Sequence, residues 1–463
     1  MYVNPSNVPR TSDLARFAAV AIALLANSAT NAADEAPPEG PAISLSEMHT
    51  IRSSGARDAT VAVDSGSGRA YITWAQEVLP IARAKKAQRV EPRLVVLLAR
   101  SADGGKTFDE PSTLSVPADR VTSAAVSAAK VQVGPRGEVY VMYPHQDPRF
   151  RILGMNVREQ VRFLRSLDGA RTFEAPIEIG SLATEGVATS LGMINLYAAS
   201  DGTLYASWLD TRATFAYASR HHEWPGLRQY SSQLRVARSV DGGRAFERSV
   251  IAAAPTCVCC GTHVAQGSAG PVYASTRGIE WPDAGEEAES VRDIIVAHSD
   301  DHGLTWSAPG KIHDDGFRIN TCPDVTAGLA VDTSQRLHAA WYTGSSKGPG
   351  MYYAISSDQG RSFTAPVPLL PEGSIPYGGV KLALDGQDNA WIAVESRQDD
   401  STTIHLLRIG HDGSVSRAPP WTGRSPDLAR LGDGVIVTWN DGRAGDEESA
   451  GGLYARIARV ATP

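Results

Sequence analysis

The sequence has no excess of positive charge, few cysteines and few long apolar runs. Its 44 lysines and arginines are outnumbered by 51 aspartates and glutamates, which gives a formal net charge of −7 over 463 residues. Proteins that bind nucleic acid carry basic patches for the phosphates, so this balance argues against a nucleic-acid partner. Beyond the N-terminus no apolar run is long enough to cross a bilayer, so we expect no membrane span after that point.

The first 33 residues have the features of an export signal. Arg10 and Arg16 precede the apolar run Phe17–Ala26, and small residues end the segment near Ala32 and Ala33. The apolar run is too short to serve as a membrane anchor, so cleavage is expected. Residues 34–41 are acidic and proline-rich, and we predict a disordered lead-in. Residues 42–463 then form a single domain, exported to the periplasm or secreted.

An eight-residue pattern recurs along the chain and predicts a repeated hairpin turn. It has Ser at position 1, Asp at 3, Gly at 5, Thr at 7 and an aromatic residue at 8. Asp accepts hydrogen bonds from nearby backbone N–H groups, and Gly takes the positive φ that a tight turn needs. An apolar or alternating strand precedes each copy, as expected of a β-protein. The copies are Ser101–Phe108, Ser166–Phe173, Ser239–Phe246, Ser299–Trp306 and Ser356–Phe363, with a degenerate sixth at Gly410–Arg417.

These residues resemble the Asp-box, or BNR, repeat of the sialidase-like β-propellers. The resemblance implies an all-β fold, a propeller of four-stranded blades, with each box in the turn between the third and fourth strands. It implies a fold more than an activity, because one fold serves many functions.

A second signal allows the blades to be counted. An inner strand, a glycine-containing turn and a strand with an aromatic residue recur in seven units, the last of which spans Ser425–Val460 and has no box. We predict that Ile43–Ile51 supplies the outer strand missing from this last unit and closes the ring. Seven blades are therefore favoured, and six, the number in sialidases, is the alternative.

The four cysteines precede the first strands of two consecutive units. Cys257, Cys259 and Cys260 lie in one segment, and Cys322 lies in the other, so the propeller would bring them together on the face opposite the boxes. Three interpretations remain open. They are structural disulfides, a soft-metal site for copper or zinc that His263 could join, and a redox dithiol.

Arginines follow several second strands on the same predicted face. Arg212 and Arg443 occur in similar Trp-x-Asp-x-Arg stretches, and Arg397 follows Glu395 by two residues. Together they could clamp a carboxylate or a sugar acid. Alternatively, each arginine pairs with the acid just before it and only fixes a loop.

The resemblance to sialidases suggests further site residues. Arg57, before the first inner strand, matches the position of an arginine that grips the sialic-acid carboxylate, although the flanking motif is absent. Tyr377 is similar in place to the sialidase nucleophile, and Glu395 could take its proton as the base. For the general acid, Glu77 is a poor substitute for the expected Asp. A buried structural tyrosine is the alternative interpretation of Tyr377.

Two functional hypotheses follow. The first is a glycan-directed protein, either a sialidase-like glycoside hydrolase or a binder of acidic sugars. The second is a non-enzymatic metal-binding (copper or zinc) or redox protein that uses the cysteines, and an interaction scaffold with structural disulfides stays open beside it. We expect a monomer with an acidic glycan or another small molecule as its ligand.

Overall fold

The computed structural model describes residues 38–461, except 79–92, 124–126, 147–150, 153–154, 157–158, 187–190, 224–225, 227–230, 283–288, 322, 324, 326, 372–373, 399–400 and 442–450. The predicted export signal, Cys322 and Arg443 therefore lie outside the described residues. The described chain is all-β apart from two short helices, as predicted from the sequence. Neither helix is long and apolar enough to span a membrane.

The N-terminal third of the chain contains twelve strands. They are β1 (Ile43–Leu45), β2 (His49–Val63), β3 (Ala70–Val78), β4 (Arg93–Ser101), β5 (Ser112–Thr113), β6 (Arg120–Val121), β7 (Lys130–Val133), β8 (Val139–Gln146), β9 (Arg151–Ile152), β10 (Met155–Asn156), β11 (Glu159–Ser166) and β12 (Ile177–Ile179).

The middle of the chain contains both helices and ten further strands. They are α1 (Leu182–Glu185), β13 (Leu191–Ala198), β14 (Leu204–Asp210), α2 (Arg212–His221), β15 (Ser232–Ser239), β16 (Val250–Thr256), β17 (His263–Gln266), β18 (Val272–Arg277), β19 (Ser290–Val291), β20 (Ile294–Ser299), β21 (Gly310–Lys311) and β22 (Arg318–Ile319).

The C-terminal part contains the last twelve strands. They are β23 (Gly328–Val331), β24 (Leu337–Thr343), β25 (Gly350–Ser356), β26 (Val367–Pro368), β27 (Ile375–Leu384), β28 (Ala390–Gln398), β29 (Ser401–Ile409), β30 (Val415–Arg417), β31 (Trp421–Thr422), β32 (Arg424–Leu431), β33 (Gly434–Asn440) and β34 (Gly451–Val460).

The main strands form successive antiparallel repeat units in chain order, numbered 1 to 7 from here on. Their members are β2–β5, β7–β8–β11–β12, β13–β16, β17–β18–β20–β21, β23–β26, β27–β30 and β32–β34. Unit 1 and unit 7 belong to one continuous sheet, because β34 pairs with β2.

The predicted Asp-box turns follow the third strand of units 1 to 5, as expected. In the first, Ser101 Oγ donates to Asp103 Oδ1 at 2.8 Å and accepts from the Gly105 N–H at 2.8 Å. Thr107 donates from both its backbone N–H and its hydroxyl to the same aspartate, at 2.9 and 2.6 Å. These bonds stabilise the ionised carboxylate, and in the fourth copy they lower the pKa of Asp301 to about 2.

Each box also packs against the preceding unit. Arg165 of unit 2 donates to the Gly242 carbonyl in the box of unit 3 at 3.1 Å. In the same contact the Phe163 and Phe246 rings meet edge to face with centroids 5.0 Å apart. In unit 1 the added Cβ of an alanine at Gly105 would lie 2.7 Å from Ile436 Cδ1 of unit 7. The boxes thus join neighbouring units, including the last to the first.

The first strands of all the units surround one central cavity. Residues from β2, β7, β13, β17, β23, β27 and β32 line this cavity of about 540 Å³. Each of these strands contacts the next, and β32 contacts β2. Val61 N–H donates to Asp427 Oδ2 at 2.9 Å, which links unit 7 to unit 1 by a hydrogen bond.

The N-terminal residues pair with the end of the chain. β1 is antiparallel to residues 458–460 of β34, and the start of β2 pairs with residues 451–455 of the same strand. Residues 38–41, which we expected to belong to a disordered lead-in, are ordered: Glu39 bridges Val415 in parallel, and Gly40 N–H donates to the Val415 carbonyl at 3.2 Å. These residues are ordered because their backbone groups form hydrogen bonds with an open strand edge. Amino-acid composition alone does not reveal such a partner.

Candidate functional site

The first strands bend where they enter the central cavity. In units 1, 3, 6 and 7 the pairing of the first strand with the second shifts register at its cavity-entry end. A residue with positive φ lies in each shift: Asp58 (47°), Met193 (55°), Gly378 (66°) and Ser425 (49°). A bulge re-aims side chains, and left-handed backbone at non-glycine residues is often found at functional sites. The sequence did not reveal these bends.

Buried and half-buried ionisable groups lie close together at this end of the cavity. We call Asp58, Lys130, Lys381, Glu395, Arg424 and Asp427 the charged cluster. Lys381 Nζ lies 3.6 Å from Asp427 Oδ1, and Ser123 Oγ donates to Asp58 Oδ2 at 2.9 Å. Their charges come from units 1, 2, 6 and 7, so the ring of first strands brings them together.

Burial shifts the pKa values of three members of the cluster. It raises the pKa of Glu395 to about 8 and raises the pKa of Asp58 above its ordinary value, although Ser123 and nearby cations act in the opposite direction. It lowers the pKa of Lys130 to about 7, helped by the charge of Lys381. Shifts of this kind are typical of functional sites.

Tyr377 and Glu395 are direct cross-strand partners between β27 and β28. Ser425 N–H donates to Glu395 Oε1 at 2.8 Å and fixes the carboxyl. Arg397 places its guanidinium carbon 5.8 Å from the centre of the Tyr377 ring. Only a glycine at position 378 lets the Glu395 carboxyl lie this close to the β27 backbone, because a Cβ there would lie 2.7 Å from Glu395 Oε1.

The remaining predicted arginines and acids have different surroundings. Arg57 pairs with Glu77: its Nε donates to Glu77 Oε1 at 3.0 Å. Arg212 donates to Asp210, with Nε–Oδ1 and Nη2–Oδ2 distances of 2.9 and 2.6 Å, and to Glu185 at 3.1 Å. Arg212 thus forms the local pair that was our alternative interpretation, and it opens helix α2. Arg443 lies outside the described residues.

The cysteine segment forms a second group near the start of unit 4. Cys257, Cys259 and Cys260 are buried free thiols. The Cys257 sulfur lies 3.4 Å from the sulfurs of both Cys259 and Cys260. All three sulfurs lie within 4.8 Å of one another.

Neighbouring groups control the charge of these thiols. Hydrogen bonds from Cys259 and Cys260 hold the pKa of Cys257 far below its usual range, and Arg292 contributes by donating from Nη1 to the Cys257 sulfur at 2.9 Å. Burial raises the pKa of Cys260 to about 12.

The two other predicted members of the cysteine site do not join this group. Cys322 lies outside the described residues, so its predicted proximity stays a prediction. His263 is not among the mutually close ligands and lines the central cavity instead. Burial lowers the pKa of His263 to about 4, and the charges of Lys381 and Lys130 act in the same direction.

Comparisons with solved structures agree with the fold. No protein-family model matches the sequence, and no curated protein matches it. A PL25 ulvan lyase bound to -[GlcA(1-4)Rha3S]- has a TM-score of 0.50 at 10% identity, over 88% of this chain and 94% of that chain. The similarity to this lyase concerns the fold.

Two further structures are similar over most of their length. The GH93 α-L-arabinofuranosidase of Fusarium graminearum has a TM-score of 0.47 at 12% identity, with 90% of this chain and 98% of that chain covered. The intramolecular trans-sialidase from Ruminococcus gnavus has a TM-score of 0.40 at 12% identity, with 88% and 96% covered. At these identities the similarity concerns the fold alone.

Proposed function

We propose that this is an exported, monomeric, seven-bladed sialidase-like propeller that acts on an acidic sugar at the charged cluster. The blade number is supported by the seven first strands around one cavity and by the contact of β32 with β2. Closure of the ring by the N-terminal strands is supported by their pairing with β34.

The observation that carries the functional proposal is the Tyr377–Glu395 pair beside buried cations. Glu395 has a pKa of about 8, so it holds a proton more strongly than an ordinary carboxylate and is a correspondingly stronger base once ionised. Lys381 and Arg424, with the fraction of Lys130 that is ionised, give this end of the cavity an excess of positive charge while Glu395 and Asp58 hold their protons. An anionic group of the ligand would balance this excess of positive charge.

The reaction that fits these groups is hydrolysis of a glycoside in two steps. In the molecules in which Glu395 is ionised, the Tyr377 hydroxyl oxygen bonds to the anomeric carbon, its proton passes to Glu395, and the glycosidic C–O bond breaks. Asp58, whose pKa is raised by burial, protonates the departing oxygen. Water then attacks the anomeric carbon, gives a proton to Asp58, and displaces the tyrosine oxygen, which recovers its proton from Glu395.

Turnover of a fluorogenic sialoside by the full chain tests this proposal. We expect Tyr377→Phe to abolish turnover and Glu395→Gln to lower kcat by about 100-fold or more. Tyr352→Phe is the matched control, because the Tyr352 hydroxyl donates to the Gly348 carbonyl at 3.0 Å outside the charged cluster. Absence of both turnover and binding across sialosides and glucuronides would refute the proposal.

A further inference from the structure

The cysteine segment is a preformed group of soft donors in a fixed backbone. Cys257 N–H donates to the Arg277 carbonyl at 2.9 Å, and Ser232 Oγ donates to the Cys257 carbonyl at 2.7 Å. Thr276 Oγ1 donates to the Gly261 carbonyl at 3.1 Å just beyond the last cysteine. The segment is therefore held at both ends before any ligand arrives.

A methionine lies beside the three thiols. Met193 packs directly against the cysteines, although it comes from unit 3. It occupies the bulge of β13 with φ of 55°, a strained conformation for a methionine. Thr262 Oγ1, from the segment that follows the cysteines, donates to the Met193 carbonyl at 3.0 Å and fixes this position. The strain thus occurs where a thioether meets three thiols.

The distances suit a metal ion at the centre of the thiols. A metal–sulfur bond of about 2.3 Å would require sulfurs about 3.8–4.0 Å apart. The closest pairs are now at 3.4 Å, so each pair must separate by roughly half an ångström. Only Cys259 retains measurable exposure, 7%, and it marks the side from which a metal could enter.

We propose that Cys257, Cys259 and Cys260 bind one Cu(I) ion, with the Met193 thioether as an additional soft ligand. Thiolate and thioether sulfurs select Cu(I), whereas structural zinc prefers four strong tetrahedral donors. Three thiolates and one Cu(I) carry two negative charges. Arg292, which donates to the Cys257 sulfur, and the fully buried Arg277 supply two positive charges nearby. This site is independent of the acidic-sugar site.

The test is a Cu(I) titration of the reduced full chain without oxygen, in competition with the chelator bicinchoninate. We expect one Cu(I) per chain and a thiolate-to-copper absorption band in the near ultraviolet. Cys259→Ser should weaken Cu(I) binding by more than about 100-fold. This cysteine is the most exposed of the three, so its replacement should disturb folding least, and circular dichroism checks that the fold is retained.

Two methionine variants test whether Met193 is a copper ligand or only a packing residue. Met193→Leu keeps the volume and should weaken Cu(I) binding about tenfold without changing Zn(II) binding. Met351→Leu makes the same change in a separate core and should leave both unchanged. The proposal is overturned if the reduced protein binds no stoichiometric Cu(I), if Zn(II) displaces Cu(I), or if Met193→Leu and Met351→Leu behave alike.

Discussion

At the scale of single residues, Glu395 combines burial with a restricted set of partners. It accepts the Ser425 N–H, faces Tyr377 across the strand pair, and lies within the electrostatic reach of Arg424 and Lys381. Burial still dominates and favours the neutral acid. The carboxyl thus retains its proton at a pH where an exposed glutamate would have lost it.

This retained proton predicts a pH-dependent stability. An unfolded chain ionises Glu395 near its ordinary pKa of 4.5, whereas the folded protein keeps the proton up to about pH 8. The folded state binds more protons in this window, so the contribution of Glu395 to stability falls as pH rises from about 4.5 to 8. We expect Glu395→Gln to remove that fall, measured as the difference in free energy of unfolding by urea at pH 5 and pH 7.

The control for this experiment is Glu110→Gln on the exposed surface. It should leave the pH dependence of the wild type intact. If Glu395→Gln and the wild type lose the same stability between the two pH values, the raised pKa of Glu395 is wrong.

The sequence revealed some of these residues better than others. Tyr377 and Glu395 were proposed from the resemblance to sialidases and remain predictions, and Arg212 was correctly allowed a local partner. Met193 was not singled out as a site residue, because left-handed backbone at a non-glycine residue leaves no compositional trace. Lys130 could have been recognised as a candidate site residue from the sequence, because it opens an apolar inner strand and burying a lysine is costly.

At the scale of elements, the Asp box is both a turn and a contact between units. Its aspartate satisfies the turn internally, as the pattern predicted, and its aromatic residue packs against the neighbouring unit. The backbone shape survives even where the pattern degenerates: Ala170 replaces the glycine of the second copy and still adopts φ of 63°. Helix α2 was not predicted, because strand periodicity alone gives no weight to the helix-forming residues between β14 and β15.

Substitutions at two adjacent glycines of the first box distinguish the cost of backbone strain from the cost of a steric clash. Gly104→Ala meets nothing within 4 Å, so we expect only the cost of positive φ, roughly 1–2 kcal/mol. Gly105→Ala has the same backbone cost and also forces Ile436 aside, which should add about 1–3 kcal/mol. Chemical denaturation measures both values.

Combining Gly105→Ala with Ile436→Val tests the origin of the extra cost. The smaller side chain should relieve part of the clash, so the two substitutions should be less destabilising together than their sum. Equal effects of Gly104→Ala and Gly105→Ala would contradict the packing of this box on unit 7.

At the scale of the whole molecule, the two ends of the chain stabilise each other. The sequence predicted that Ile43–Ile51 would complete the last unit, because that unit has three strands and no box. The structure pairs β1 and the start of β2 with β34. Which buried charges then meet across the cavity could not be predicted, since that depends on the bends of strands far apart in sequence.

Removal of β1 should therefore weaken the whole fold. A chain that begins at Glu47 loses the pairing with residues 458–460 and both hydrogen bonds between Ser46 and Ile457. We expect its thermal unfolding midpoint to fall by about 2–5 °C relative to a chain that begins at Ala42, because both chains then lack the contacts of Glu39 and Gly40 with Val415. Identical midpoints for the two chains would mean that this pairing contributes nothing to stability.

The bulges at Asp58, Met193, Gly378 and Ser425 also bear on how such a scaffold can diversify. These four positions are equivalent in four separate units. Asp58 supplies a carboxyl, Met193 a thioether, Gly378 a backbone close to Glu395, and Ser425 an N–H donor. Exchange of one residue at such a bulge would alter the chemistry at this end of the first strands while the strands and the outer turns keep their places. New specificities could thus arise one repeat at a time.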